Sequence, residues 1–474
     1  MRRLAGLYGV SAVGYLANFA SIFVILAVVG REGYGTYGIY IVIVAFYHVL
    51  DFALVKVALV AFERHRANRG SEQASAIAVR FLNRALLPIS AISLPFILAG
   101  NAIFPTGAGS GVGGRFVALI VFIEYLLSYP ANRTIFHLAL DQRFYTIQMI
   151  RLANTLLRHA IVWIILLGTG SIPVAIGAIV LKGVVIGLAA KYWNERAFKL
   201  TVVTNSSPTE PCERRGDLKL LISIAGTAFL LIIVQELPAV YIDRTYGRAA
   251  LGSFRVVYDL VAVVWFVAAI YPTVLFSYLL PSDGVIDSDA ARRALQPLSD
   301  LIGVFHVCYF LGVTTLLCGG MLFVGREFDE IPFAFGVVGG VAILGYNRFL
   351  IEAAQAYGQT RSTILATVVT VGVVLAILMQ VPGNRSLPEV ALAWVVGQAM
   401  LMMMLKAVLA KVVRPTWGWN RDFAIVLMPI VAVVLLQKVL PLSVLAAACL
   451  MGTIIAGIAL LVLAINTSLR KGLT

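Results

Sequence analysis

The residues of this chain best able to do chemistry are charges set inside long apolar runs. Asp51, Glu124, Lys182 and Glu236 fall near the middle of such runs. Arg133 with His137, Arg158 with His159, and Arg348 with Glu352 fall one or two helical turns from the ends of others, and Lys56 and Asp259 lie nearer to ends. An ionisable side chain in hydrocarbon is costly, so each marks a functional position by default. A guanidinium grips phosphate or carboxylate oxygens as a fork, whereas an ammonium acts as a point charge. Buried acids carry protons or bind sodium, which makes Glu124, Glu236, Asp51 and Glu352 the candidates for ion coupling. Each acid has a second option, neutralising a neighbouring cation. Arg348 and Glu352, spaced i,i+4 on one helix face, can simply pair with each other.

The elements that must position these charges are membrane spans. The 474 residues are 60% hydrophobic and only 13% charged, against about 25% charged in soluble domains, and mean hydropathy is +0.93. A water-soluble enzyme is excluded. With about 20 apolar residues per crossing, the runs predict about fourteen spans, near 4–29, 37–62, 85–104, 116–138, 152–167, 172–193, 220–242, 253–280, 301–324, 332–354, 363–381, 389–409, 423–440 and 443–465. The first run is too long for a signal-peptide core and is expected to stay as a helix. The net charge of +14 concentrates in short loops, roughly 24 Lys/Arg on the side of the termini against roughly 8 on the other. Both termini are therefore expected in the cytoplasm. Cys212, in the loop over 191–219, should resist a membrane-impermeant thiol reagent in sealed cells, while a cysteine placed at Ser110 should react; labelling of Cys212 would reverse the orientation.

Two short segments recur at a constant offset. Arg31-Glu32-Gly33-Tyr34-Gly35-Thr36-Tyr37 joins spans one and two, and Arg248-Ala249-Ala250-Leu251-Gly252-Ser253-Phe254 joins spans seven and eight. In each, the glycine is expected to make a tight turn and the hydroxyl residue to cap the next helix. A second pair, Ala139–Phe144 and Ala356–Arg361, follows spans four and ten. An offset of six helices returns to the same side, so the repeat is parallel. The expected organisation is a six-helix bundle over 1–199, a cytoplasmic linker over 200–219, a second bundle over 220–411, and two further helices over 412–474. Other matches carry no function. The glycine run 109–114 fits a dinucleotide fingerprint only formally, since no strand of a soluble βαβ unit precedes it. The four cysteines form no disulfide framework.

The turn around Gly35-Thr36-Tyr37, its partner at Gly252-Ser253-Phe254, and the loops Gln142-Arg143-Phe144 and Gly358-Gln359-Thr360-Arg361 resemble those of bacterial polysaccharide transporters. These are the Wzx-type O-antigen and lipid-linked oligosaccharide flippases of the multidrug/oligosaccharidyl-lipid/polysaccharide exporter superfamily. The resemblance implies an all-α, MATE-like fold of two six-helix bundles that open alternately to either side of the bacterial inner membrane. It implies a substrate, an undecaprenyl-diphosphate-linked glycan. Arg133 and Arg348, on equivalent helices of the two repeats, and Lys182 are then the residues expected to bind the diphosphate. The aromatic residues Tyr15, Tyr40, Phe46 and Tyr47 are assigned to packing or lipid contact ahead of sugar stacking. Membrane lipids and a polysaccharide polymerase with its assembly machinery are the implied partners. Nucleic acid, metal, organic cofactor and covalent catalysis are not implied. A peptidoglycan lipid-precursor flippase and a multidrug or cation antiporter of the same fold remain the alternatives. A membrane polymerase or glycosyltransferase is disfavoured because the external loops are short.

Overall fold

A computed structural model describes residues 2–69, 94, 97–105, 112–140, 143–197, 211–261, 295, 331–380 and 387–412. The expected spans over 301–324, 423–440 and 443–465, and most of those over 85–104 and 253–280, lie outside the described residues. The described elements are helical: α1 (Arg2–Arg69), α2 (Gly114–Leu140), α3 (Phe144–Thr169), α4 (Ile172–Ala197), α5 (Pro211–Tyr246), α6 (Arg248–Val261), α7 (Ile331–Ala356), α8 (Thr360–Gln380) and α9 (Leu387–Ala410). Seven helical stretches among the described residues are long and apolar enough to cross a membrane. The chain is a multi-span membrane protein. Large apolar side chains stand exposed on α3, α4 and α8, among them Ile164, Leu167, Leu188 and Met379. In a membrane protein such a surface faces lipid, not water.

The described residues fall into two compact units, one holding those up to 285 together with 355–368, the other those at 286–354 and from 369 onward. In the first unit α1 packs along α6, α3 and α5, and α2 packs along α4. Gly183 and Gly187, one turn apart on α4, make the second contact possible. A Cβ at Gly183 would lie 2.8 Å from the Glu124 carbonyl oxygen, and one at Gly187 would overlap the Leu127 carbonyl oxygen. This is the small-residue packing that lets membrane helices approach backbone to backbone.

The repeat is legible in the backbone, with one correction. The turns do not fall at Gly35 and Gly252. They fall at Gly30 (φ 65°) and Gly247 (φ 85°), which precede the two segments at the same offset. Gly30 breaks α1 into two helices. Only glycine adopts positive φ at no steric cost. Gly35 and Gly252 are helical and serve close approach instead: a Cβ at Gly35 would overlap the Arg248 carbonyl oxygen, and one at Gly252 the Arg31 carbonyl oxygen. The contact is reciprocal, residue for equivalent residue, as across a two-fold axis. The two segments therefore lie on the same face of the membrane, as a parallel repeat requires. Thr36 does not cap a helix either; its hydroxyl donates to the Glu32 carbonyl, four residues back, at 3.2 Å.

In the second unit Trp394 on α9 is fully buried, lying where a side chain at Gly340 on α7 would collide with its ring, 2.5 Å from Cζ3. The Asn347 amide donates to the backbone carbonyl of Gln398 at 2.8 Å and to its side-chain oxygen at 3.0 Å. Lys406, also buried, sits 5.3 Å from the centroid of the Tyr346 ring.

Candidate functional site

The polar interior of the first unit includes three clusters. The first lies where the α4 glycines press α4 onto α2. There Lys182 meets Glu124 at 2.5 Å, both almost fully buried. Nearby on α3, the Arg158 guanidinium donates to the Asn18 side-chain oxygen at 3.0 Å. His159 is held from both ring nitrogens, Nε2 to Asn18 Oδ1 at 2.6 Å and Nδ1 to Ser21 Oγ. Ser21 Oγ also accepts the Trp163 indole N–H at 2.8 Å. Since Asn18 Oδ1 can only accept, His159 donates to it through Nε2–H.

The second cluster centres on Arg255, which is 1% exposed. It donates to Glu236 at 2.9 Å and to Asp259, one turn along α6, at 3.2 Å. Glu236 accepts a further bond from Gln235, and Tyr34 donates to Asp259 at 2.7 Å. The guanidinium lies 4.7 Å from the Tyr258 ring centroid. Gly38 makes room for it, since a Cβ there would be 2.7 Å from Arg255 Cγ. The third cluster ties the two turn segments together. Arg248 pairs with Asp243 at 2.7 Å, and donates to the Pro105 carbonyl at 2.8 Å and to Thr36 at 3.5 Å.

Of the sequence-predicted site residues, Lys182, Glu124 and Glu236 are deep in the first unit, and each has an opposite charge beside it. Arg133 is half-buried on α2. Arg348, half-buried, and Glu352, buried, lie on α7 in the second unit. Asp51 falls on α1, and its side chain lies outside the described residues, as does that of His137. Lys56 is buried and donates to Gln355 at 3.1 Å. Tyr40 and Tyr47 pack as expected, Tyr40 on the Tyr37 ring at 5.5 Å and Tyr47 on Tyr125 at 5.0 Å, and Phe46 packs on Phe229 at 5.4 Å. Sequence reasoning passed over Arg255, Arg248 and Asp243 because they flank a short loop, where charges normally meet water. The i,i+4 spacing of Arg255 and Asp259 was the available signal.

No protein-family model matches this sequence, and no curated protein matches it. Solved structures do. The lipid II flippase MurJ, in an inward closed conformation, aligns over 99% of this chain and 99% of its own at a TM-score of 0.62, with 12% identity. The chain has the MATE/MurJ fold. The MATE multidrug transporter DinF-BH, solved with R6G, aligns over 89% of this chain and 96% of its own at a TM-score of 0.62, with 15% identity. An outward-facing MATE multidrug-resistance transporter of the MOP superfamily aligns over 86% and 94% at a TM-score of 0.61, again with 15% identity. The superpositions establish the MATE/MurJ fold, and identities this low leave the substrate to the residues.

Proposed function

We propose that this protein is a flippase that carries an undecaprenyl-diphosphate-linked oligosaccharide, an O-antigen or exopolysaccharide repeat unit, across the bacterial inner membrane by alternating access. The observation that carries a lipid-precursor flippase is the extent of likeness: the MurJ structure aligns over 99% of this chain, whereas the two MATE transporters reach 86% and 89%. The motifs at Gly35-Thr36-Tyr37, Gly252-Ser253-Phe254 and Gly358-Gln359-Thr360-Arg361 direct the choice toward oligosaccharide carriers. The same full-length likeness favours a second reading, a flippase for a peptidoglycan lipid precursor.

With both termini cytoplasmic, the face bearing Gly30 and Gly247 is the outer one, and the reciprocal glycine contact closes it. The constant offset of the two positive-φ glycines supports bundles over 1–199 and 220–411, with 200–219 as linker and 412–474 as added helices. Arg133 and Arg348 hold the diphosphate, assisted by Lys182. Glu124, Glu236, Asp51 and Glu352 are the groups available for coupling to an ion, with Glu124 and Glu236 restrained by the cations beside them. No step requires a metal or an organic cofactor.

The deciding experiment is mass spectrometry of the lipid-linked intermediates that accumulate when the protein is removed. Accumulation of an undecaprenyl-diphosphate oligosaccharide supports the proposal; accumulation of the peptidoglycan precursor transfers it to the second reading. At matched membrane levels, Arg133→Ala and Arg348→Ala are each expected to lower glycan export several-fold to hundreds-fold, as loss of a charge-assisted phosphate contact costs about 1–3 kcal/mol. Arg→Lys should rescue only in part, keeping the charge and losing the fork. Wild-type export from both alanine variants would return these arginines to a role at the lipid head groups.

A further inference from the structure

Two cavities in the first unit differ in chemistry. The larger, about 200 Å³, is walled almost wholly by apolar groups such as Val42, Ile103 and Phe229. The smaller, about 130 Å³, lies between the two arms of α1 and the helices α3 and α6, and Ile41 is its sole aliphatic wall residue. The rest of its lining is aromatic or polar, with Tyr15, Tyr34 and Tyr37 beside Asn18, Arg158 and Asp259. Such a lining inside a membrane bundle is costly unless something hydrogen-bonds to it.

Two donors line this wall. The Tyr37 side chain is 2% exposed, and its hydroxyl finds no hydrogen-bond partner among the described residues. The Arg158 guanidinium lines the same wall, beside the Tyr40 hydroxyl, with one arm donating to Asn18. Asp259 supplies an acceptor: Tyr34 and Arg255 each bind one of its oxygens, and each oxygen keeps a lone pair. A free anion would meet the Asp259 carboxylate, and a free cation the Arg158 guanidinium. A neutral group that both donates and accepts meets neither objection, and its apolar C–H face suits the tyrosine rings. The volume is below the roughly 300–1,000 Å³ of a drug-sized pocket, so it suits one ring and not a chain of them.

We propose that this cavity binds a single sugar ring, with Tyr37 and Arg158 donating to its oxygens and Asp259 accepting from one of its hydroxyls. The assignment of that ring to the transported glycan rests on the flippase function; the site itself does not. Tyr15, assigned to packing by sequence, becomes part of the sugar wall.

The test is saturation-transfer NMR on the full-length protein in lipid nanodiscs, with methyl glucoside, N-acetylglucosamine and inorganic pyrophosphate as separate probes. At least one neutral sugar is expected to bind saturably. Its affinity should fall about tenfold or more in Arg158→Gln and several-fold in Tyr37→Phe, while pyrophosphate neither binds nor competes. Tyr37→Phe removes an oxygen that makes no hydrogen bond among the described residues, so it keeps the test decisive where Arg158→Gln fails to purify. Absence of sugar binding, sugar binding indifferent to both variants, or pyrophosphate binding in place of sugar would each overturn the proposal. If sugar binds as expected but glycan export persists after the protein is removed, the transport function fails and the sugar site stands.

Discussion

Arg255→Met is expected to be the most damaging single substitution in the described interior. It leaves Glu236 buried and Asp259 half-buried with their shared cation gone. Removing one partner of a buried ion cluster costs about 3–5 kcal/mol, because the remaining charges cannot be rehydrated. The desolvation is severe here, since the Arg255 side chain is 1% exposed and that of Glu236 3%. Thermal unfolding of the purified protein should show the loss directly. The triple variant Arg255→Met, Glu236→Gln, Asp259→Asn should recover most of it, because replacing a whole buried cluster by neutral groups is often close to neutral. Arg255→Lys should fall between, since one ammonium cannot reach both carboxylates as the fork does. A single Arg255→Met variant that melts with the wild type would show that the cluster contributes nothing to stability.

Gly35→Ala and Gly252→Ala are the second pair. Each Cβ would overlap a carbonyl oxygen of the opposite segment, and a carbonyl cannot move aside as a flexible side chain can. Overpacking of this kind costs about 1–3 kcal/mol. Both substitutions press on one contact, so their effects should not add: once α1 and α6 have parted, the second methyl has little left to disturb. Amide hydrogen exchange at residues 31–36 and 248–253 should rise in either variant. Unchanged exchange and melting in both would mean that the two segments are not pressed together. The expected effect on export is larger than on stability, because this contact closes one face of the proposed alternating-access cycle.

The two predictions draw on different levels of information. That α1, α2, α3, α4, α7, α8 and α9 cross a membrane follows from sequence, because hydrocarbon demands about 20 apolar residues per helix and tolerates few charges. The parallel repeat was also legible, since Arg31 and Arg248 recur with their glycines at one offset. Which glycine turns the chain was not. Gly30 and Gly35 are the same residue type five positions apart, and only backbone dihedrals separate the left-handed position from the helical one. The buried charges were visible as charges, yet their partners were not. Lys182 faces Glu124, from two helices away, because Gly183 and Gly187 let α4 settle onto α2. Arg255 joins Glu236 on the preceding helix because Gly38 vacates the space its side chain occupies. Composition and periodicity are one-dimensional and report what a segment must avoid, which here is water. Pairing of charges across helices depends on a few ångströms of backbone approach, and only the tertiary structure sets that distance.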